Sequence, residues 1–183
     1  MSKIQEAIQQ MSVEEMQERL AKYMAADKEW APIPVAIEVR HRDVEDIKGS
    51  KIYDVIVLKD DGTEEMIQFG DRYSKLIYIY TLLHPKGYQR RSLDKQKQGY
   101  PELSSLYRAV YMTNPDRLIA YTAKGFNHMM SMAISFIRKA FKEKIGCEGL
   151  TIGNPRHYSG RTVIPSVYNG LEVIIAPQLR HFA

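Results

Sequence analysis

Residues 125–145 read GFNHMMSMAISFIRKAFKEKI and carry the clearest pattern in the chain. Their apolar side chains recur at spacings of three and four, which predicts one buried stripe of an α-helix. That stripe consists of Met130, Ala133, Ile134, Ile137, Phe141 and Ile145. The opposite face is small and polar at first and cationic later, with Asn127, His128, Ser131, Ser135, Arg138, Lys139 and Lys142. This face suits a groove in a partner, or it is simply the solvated side of a helix whose cations offset its dipole.

Length and composition indicate an ordinary globular protein. The 183 residues are enough for one good core or two small ones. Cys147 is the only cysteine, so an internal disulfide is excluded. Because the sequence shows neither a signal peptide nor an apolar run long enough for a bilayer, we expect a cytoplasmic protein without a membrane partner.

The net charge of +4 is unevenly distributed along the chain. Residues 1–70 contain nine Lys or Arg against fifteen Asp or Glu, whereas residues 71–183 contain seventeen against seven. A basic module of this kind suits a polyanion, nucleic acid before an anionic membrane surface. The same distribution would also arise if the acidic and basic parts attract each other within the molecule.

The N-terminal part is predicted to be an extension of helix and strand over residues 1–50, followed by a main domain over residues 51–183. The two could also form one continuous compact unit. Residues 2–26 are predicted to be helical, and Ser12 with Glu15 makes a capping box. The apolar stripe within residues 13–26 either packs on its own domain or binds a protein partner or a second copy of the chain.

A small antiparallel sheet is predicted next. Residues 35–40 alternate apolar and polar side chains, and residues 51–59 and 63–69 also have strand character. Asp-Asp-Gly at 60–62 signals a hairpin turn, because glycine tolerates positive φ.

Two helices are predicted after this sheet. Asp71 or Ser74 caps the first, and the second covers residues 101–112. The basic loop between them, residues 86–100, contains Arg90 and Arg91, which suit either phosphate contacts or a solvated loop.

The pattern returns to strands after the long helix, at residues 150–152, 161–164 and 171–175. Between the first two lies GNPRHYSG, residues 153–160, a glycine-bounded loop that carries Arg156 close to Arg161. We therefore predict a C-terminal β-hairpin with this loop as a wing. The expected fold class is α+β, with an N-terminal helix, a small antiparallel sheet, a three-helix core and the hairpin wing.

Two segments resemble the winged-helix effector domain of the OmpR/PhoB response-regulator class. Residues 134–141, ISFIRKAF, are similar to the recognition-helix pattern of that family, and residues 67–77, IQFGDRYSKLI, to the start of its first helix. The resemblance spans roughly residues 52–176 and implies that the third helix lies in the major groove of DNA while the wing contacts neighbouring phosphates. Residues 1–50 are too few for a receiver domain, so we do not expect a phosphorylation switch.

Catalytic and metal-binding patterns do not stand out in this sequence. The five histidines lie on separate predicted elements, and the serines lack a nucleophile elbow. The glycines match no nucleotide-binding motif. We therefore expect neither an enzyme nor a bound cofactor or metal.

The leading hypothesis is a non-enzymatic transcriptional regulator that binds double-stranded DNA. Base edges would be contacted by Asn127, His128, Ser131 and Ser135. Phosphates would be contacted by Arg138, Lys139, Lys142, Arg156, Arg161, Arg90 and Arg91. The alternative is a protein-interaction module on the same fold, which an exposed Met132 would favour, as would Met129 if it also faces outward.

Overall fold

The computed structural model describes residues 32–42, 52–93, 99–112 and 123–183. Contacts divide the chain into two compact units, Met1–Ile33 and Pro34–Ala183. All helices and strands of the described residues belong to the second unit. The predicted helix over residues 2–26, with its capping box and partner-binding stripe, lies outside the described residues.

A four-stranded sheet with the order β3-β2-β1-β4 runs through this unit. β1 (Pro34–His41), β2 (Tyr53–Lys59) and β3 (Glu64–Ile67) are antiparallel neighbours, which confirms the three predicted strands. The turn at residues 60–62 also forms as predicted, with Gly62 at a φ of +82°. β4 (Glu172–Ile175) pairs with β1 in parallel, so the sheet is mixed and the fold is α+β.

Three long α-helices share one core with the sheet: α1 (Arg72–Leu83), α2 (Gly99–Tyr111) and α3 (Ala123–Lys144). Asp71, one of the two predicted candidates, caps α1, because its side chain accepts a hydrogen bond from Ser74 N at 2.7 Å. α1 is the most deeply placed of the three, since residues 76–83 are all buried.

α3 packs against α1 and turns its predicted apolar stripe into the core. Its buried members are Met130, Ala133, Ile134, Ile137 and Phe141, while Ile145 is half-buried. The Phe141 ring lies 4.8 Å from the Tyr78 ring and 6.4 Å from the Phe69 ring, measured between centroids. Each fully buried Met, Ile or Phe side chain of this stripe contributes about 1.5–3 kcal/mol through removal of apolar surface from water.

The C-terminal β-hairpin predicted from residues 150–152 and 161–164 does not form. Glu148–Leu150 is a short 3-10 helix, and within residues 161–164 only Thr162 makes a β-bridge, to Tyr88. A second 3-10 helix, Pro155–Tyr158, and a four-residue helix α4 (Pro165–Tyr168) occupy the rest of this region.

Proline explains why the strand pattern fails there. Pro155 and Pro165 each stand at the start of a helical turn, where a missing N–H costs nothing, and Pro165 ends the apolar run. Val163 and Ile164 are instead buried in the core. What replaces the hairpin is a loop over residues 153–163, closed by a hydrogen bond from Gly153 N to Val163 O at 2.9 Å.

Candidate nucleic-acid interface

The exposed face of α3 contains the polar and cationic residues that the sequence placed there. They are Asn127, His128, Ser131, Ser135, Arg138, Lys139 and Lys142, and all seven side chains are exposed. Ser131 Oγ donates to Asn127 O at 3.0 Å, a bond back to the preceding turn of the helix. These residues are called the α3 face below.

One apolar side chain interrupts the α3 face. Met132 is 45% exposed, whereas Met129 is 5% exposed and belongs to the core. The two methionines therefore have different roles, and only Met132 is available to a partner.

The 153–163 loop lies beside the α3 face. Arg138 Nη2 donates to Ile152 O at 3.3 Å and so connects the middle of α3 to the residue that precedes the loop. Within the loop, Asn154 Oδ1 accepts from Arg156 N at 3.1 Å and caps the 3-10 helix, which leaves the Arg156 side chain exposed. The structure thus brings Arg138 and the loop that carries Arg156 into one region.

The segment that follows α1 is attached to the other side of this loop. Tyr88 and Thr162 exchange two backbone hydrogen bonds of 3.2 and 2.7 Å, and Arg161 Nη1 donates to Lys86 O at 3.1 Å. Gly87 makes this approach possible, because its φ is +75° and an added Cβ would lie 2.4 Å from Val163 Cγ1.

Arg90 and Arg91 follow directly after this attachment, in the 3-10 helix Arg90–Leu93. Arg91 is exposed, whereas Arg90 is half-buried and its Nε has no hydrogen-bond partner among the described residues. Arg91 is therefore better placed than Arg90 to contact a phosphate.

Ion pairs leave most of these cations available. Lys139 is 3.8 Å from Glu143 of the same helix, and Lys144, at the end of α3, is 3.8 Å from Glu65 of β3. In the part of the chain that the structure describes, the ion pairs involve none of the remaining cations, which are Arg138, Lys142, Arg156, Arg161, Arg90 and Arg91. The acidic β2–β3 hairpin thus meets the C-terminal end of α3.

The two segments that carried the family resemblance touch each other. Gly70 lies against α3 so closely that an added Cβ would be 3.1 Å from Phe136 Cδ1. Phe69 is in ring contact with Phe141 and with Tyr78. The start of α1 therefore sets the position of α3, a contact that the separate sequence patterns could not reveal.

A cleft that the sequence did not predict opens at the start of α1. It has a volume of about 570 Å³, and its charged side chains are Arg42, Asp54, Asp71, Arg72 and Lys75. Burial lowers the Lys75 pKa to about 8, and the charge of Arg42 adds to this while Asp54 opposes it. A lysine within the otherwise apolar run KLIYIYTLL was the available signal for this site.

A polar cluster joins α1 to α2. His84 Nε2 lies 3.2 Å from Glu102 Oε1, and His84 Nδ1 lies 2.8 Å from Tyr80 O. Tyr80 donates its O–H to Glu102 Oε2 at 3.1 Å. Burial and this carboxylate raise the Tyr80 pKa well above its ordinary value, so the phenol holds its proton and the cluster stabilises the helix pair.

Within residues 32–42, 52–93, 99–112 and 123–183, the histidines, cysteine and acids form no group of three that could hold a metal ion. No helix in the same ranges combines the length and the apolar character needed to cross a bilayer.

Comparison of the chain with protein-family models, with curated proteins and with solved structures returns no significant match.

Proposed function

We propose that this protein is a non-enzymatic transcriptional regulator that binds double-stranded DNA through a winged-helix arrangement, with α3 in the major groove. The observation that carries this proposal is the juxtaposition of the α3 face and the 153–163 loop. Arg138 joins the two through Ile152, and both present cations without a described acidic partner. The order of sheet, three helices and a mostly exposed loop supports the same interpretation.

Base contacts are assigned to the N-terminal half of α3. Asn127, Ser131 and Ser135 recur every four residues, so they follow one another along the helix at intervals of about 6 Å. His128 lies next to this row on the same exposed face. Short polar side chains in such a row allow the helix to approach the floor of the major groove, where base edges offer donors and acceptors.

Phosphate contacts are assigned to the cations that flank this row. Arg138, Lys139 and Lys142 continue along the same face of α3. Arg156 extends from the 153–163 loop, and Arg161, Arg90 and Arg91 lie near its base. Such contacts position the protein on the duplex and supply most of the affinity, without reading sequence.

A direct test is the double variant Lys142→Gln with Arg156→Gln, compared with Lys144→Gln as a control. Lys144 is on the same helix but pairs with Glu65 outside the α3 face. Fluorescence anisotropy with mixed-sequence duplex DNA at two salt concentrations gives affinity and salt slope. We expect the double variant to bind all duplexes more weakly. The slope of log K against log salt should fall by about 1.8, because each phosphate that a cation neutralises contributes about 0.9 to it.

The control variant should bind almost as the parent protein does. Equal affinity and equal salt slope in the double variant and the parent would contradict the assignment of the α3 face to DNA.

The second candidate function is a protein-interaction module, which the exposure of Met132 favours. A thioether in the middle of the face suits an apolar protein surface better than a base edge. Met132→Lys separates the two functions, because an added cation should leave DNA binding equal or stronger but disrupt a protein interface. Analytical ultracentrifugation would show whether the parent chain self-associates and whether this variant abolishes it. A parent dimer that is absent in Met132→Lys, with no DNA affinity in either protein, would favour the interaction module.

A further inference from the structure

An exposed aromatic ring lies at the end of α4. Among the Phe and Tyr side chains that the structure describes, only Tyr168 is exposed, at 49%. The Tyr158 ring of the 153–163 loop lies 5.3 Å from it between centroids, at an angle of 69° between the ring planes. This edge-to-face contact leaves about half of Tyr168 open to solvent, where a further ring can stack on it.

The backbone that carries the two rings is tightly packed. A Cβ added to Gly153 would lie 2.9 Å from Tyr158 Cε2 and 3.0 Å from Pro165 Cγ, so this loop residue and the start of α4 are in close contact. Tyr168 N donates to Ile164 O at 2.9 Å, which fixes the backbone under the exposed ring. Because the ring is already held in place, a partner that stacks on it pays little for ordering it.

The surroundings of this ring pair are cationic. Residues 149–171 contain no Asp or Glu. Arg156 and His157 belong to the 3-10 helix that ends at Tyr158, and both are exposed. Arg161 is also exposed, three positions further along the loop. An exposed ring beside cations suits a ligand that carries both flat aromatic groups and negative charge, and the bases and phosphates of a nucleic acid combine the two.

A ring in this position favours an unpaired base over a base pair. Bases in a duplex stack on each other and present only their edges in the grooves, so their faces are not accessible to a side chain. The face of a base is accessible in a single strand, and proteins that bind single strands use aromatic side chains beside basic residues.

We propose that the Tyr158–Tyr168 ring pair binds single-stranded nucleic acid, with an unpaired base stacked on Tyr168 and the adjoining phosphates beside Arg156 and Arg161. Stacking on Tyr168 does not depend on the α3 face, although the two arginines would serve in both kinds of complex. Single-stranded DNA or RNA is thereby added to the duplex DNA proposed above.

Three labelled strands test the stacking and the type of strand. They are an oligothymidylate of about 12 nucleotides, an oligouridylate of the same length, and an abasic strand that keeps the phosphates but lacks the bases. Fluorescence anisotropy gives the affinity of the 183-residue chain for each strand. We expect the oligothymidylate or the oligouridylate to bind at least about fivefold more tightly than the abasic strand. The tighter of the two identifies DNA or RNA as the preferred strand.

Variants locate the site. Tyr168→Ala should weaken binding of the preferred strand by at least about fivefold and leave the abasic strand unaffected. Tyr168→Phe keeps the ring and should bind as the parent does. Arg156→Gln should lower the salt slope for the preferred strand by about 0.7, the contribution of one phosphate contact.

The comparison of base-bearing and abasic strands uses the parent protein, so it decides the question even if Tyr168→Ala does not fold. Equal affinity of the parent for these strands, or no binding of either base-bearing strand, would overturn the proposal. So would equal affinities of Tyr168→Ala and Tyr168→Phe, or an unchanged salt slope in Arg156→Gln.

Mixed-sequence duplex DNA separates single-strand binding from duplex binding. Tyr168→Ala should bind the duplex as the parent does, since paired bases cannot stack on the ring. A parent protein that binds the preferred single strand but no duplex would contradict duplex binding by the α3 face alone. A parent that binds the duplex, yet binds base-bearing strands no better than the abasic strand, would contradict stacking on Tyr168 alone.

Discussion

Lys75 shows how one residue can connect stability with pH. It lies on α1 between Ser74 and Leu76, both fully buried, and its own side chain borders the cleft. Burial lowers its pKa from 10.5 to about 8. Below pH 8 the lysine is charged in the folded and unfolded chain alike, so its burial costs stability.

Between pH 8 and pH 10 this cost should diminish. The folded protein releases the Lys75 proton in that range while the unfolded chain keeps it, so the unfolding free energy rises with pH. We expect the unfolding free energy of the parent to rise by about 1–2 kcal/mol relative to that of Lys75→Met, measured by guanidinium denaturation at several pH values.

The upper limit of that pH range is set by the tyrosines. Burial raises the Tyr88 pKa to about 12 and raises the pKa of several other tyrosines, so from about pH 9 upward the unfolded chain loses protons that the folded protein keeps, and the stability of parent and variant falls alike. A difference in unfolding free energy between the parent and Lys75→Met that stays constant from pH 8 to pH 10 would contradict the assignment to Lys75.

Residue-level prediction succeeded where one side chain acts through its neighbours in sequence. The Asp71 cap depends on Ser74, three positions away, and the Gly62 turn on adjacent residues. The charges that act on Lys75 belong to Asp54 of β2 and to Arg42, which follows β1. The periodicity of α1 alone could not predict these neighbours.

Among the elements, α1 depends most on a well-defined start. Its first turn leaves backbone N–H groups without helical partners, and Asp71 satisfies one of them, at Ser74 N. The first turn of α1 has no acidic residue and the last turn has no basic residue. No side-chain charge in these turns therefore stabilises the helix dipole in addition to the cap. The cap should therefore contribute measurably to stability.

Asp71→Ala is expected to lower the unfolding free energy by about 1 kcal/mol. Asp71→Asn is the matched comparison, because an asparagine side chain caps a helix about as well and should retain most of that stability. Urea denaturation of the two variants and the parent measures the difference. Equal losses in both variants would mean that the carboxylate charge, and not the cap, stabilises α1.

Element prediction was most accurate where a pattern had one interpretation. The stripe of α3 and the β2–β3 hairpin are confirmed, because a period of 3.6 over many residues and a glycine turn each exclude alternatives. Residues 150–152 and 161–164 are short apolar runs, which suit a strand or any other buried segment equally well. Leu150, Val163 and Ile164 are buried in the core without strand pairing. A short apolar run does not distinguish this arrangement from a buried strand.

At the scale of the whole molecule, the acidic side chains of the described strands pair mostly with cations of the sheet and its edges. Arg40 bridges Glu38 and Glu64 at 2.6 and 2.9 Å, so the sheet neutralises much of its own acidity. The hairpin reaches α3 through Glu65 and Lys144. The cationic α3 face was predictable from periodicity, but its position beside the 153–163 loop depends on long-range contacts and was not.

The parallel pairing of β4 with β1 was also beyond sequence reasoning, because Ala36 and Glu172 are 136 positions apart. It has a practical consequence for anyone who shortens the chain for expression. A shortened chain that ends before Glu172 lacks β4. The N–H and C=O groups of β1 that pair with β4 then lose their hydrogen-bond partners. Such an exposed edge is a template for pairing between molecules, so the shortened protein would tend to aggregate, whereas β4 covers this edge in the 183-residue chain.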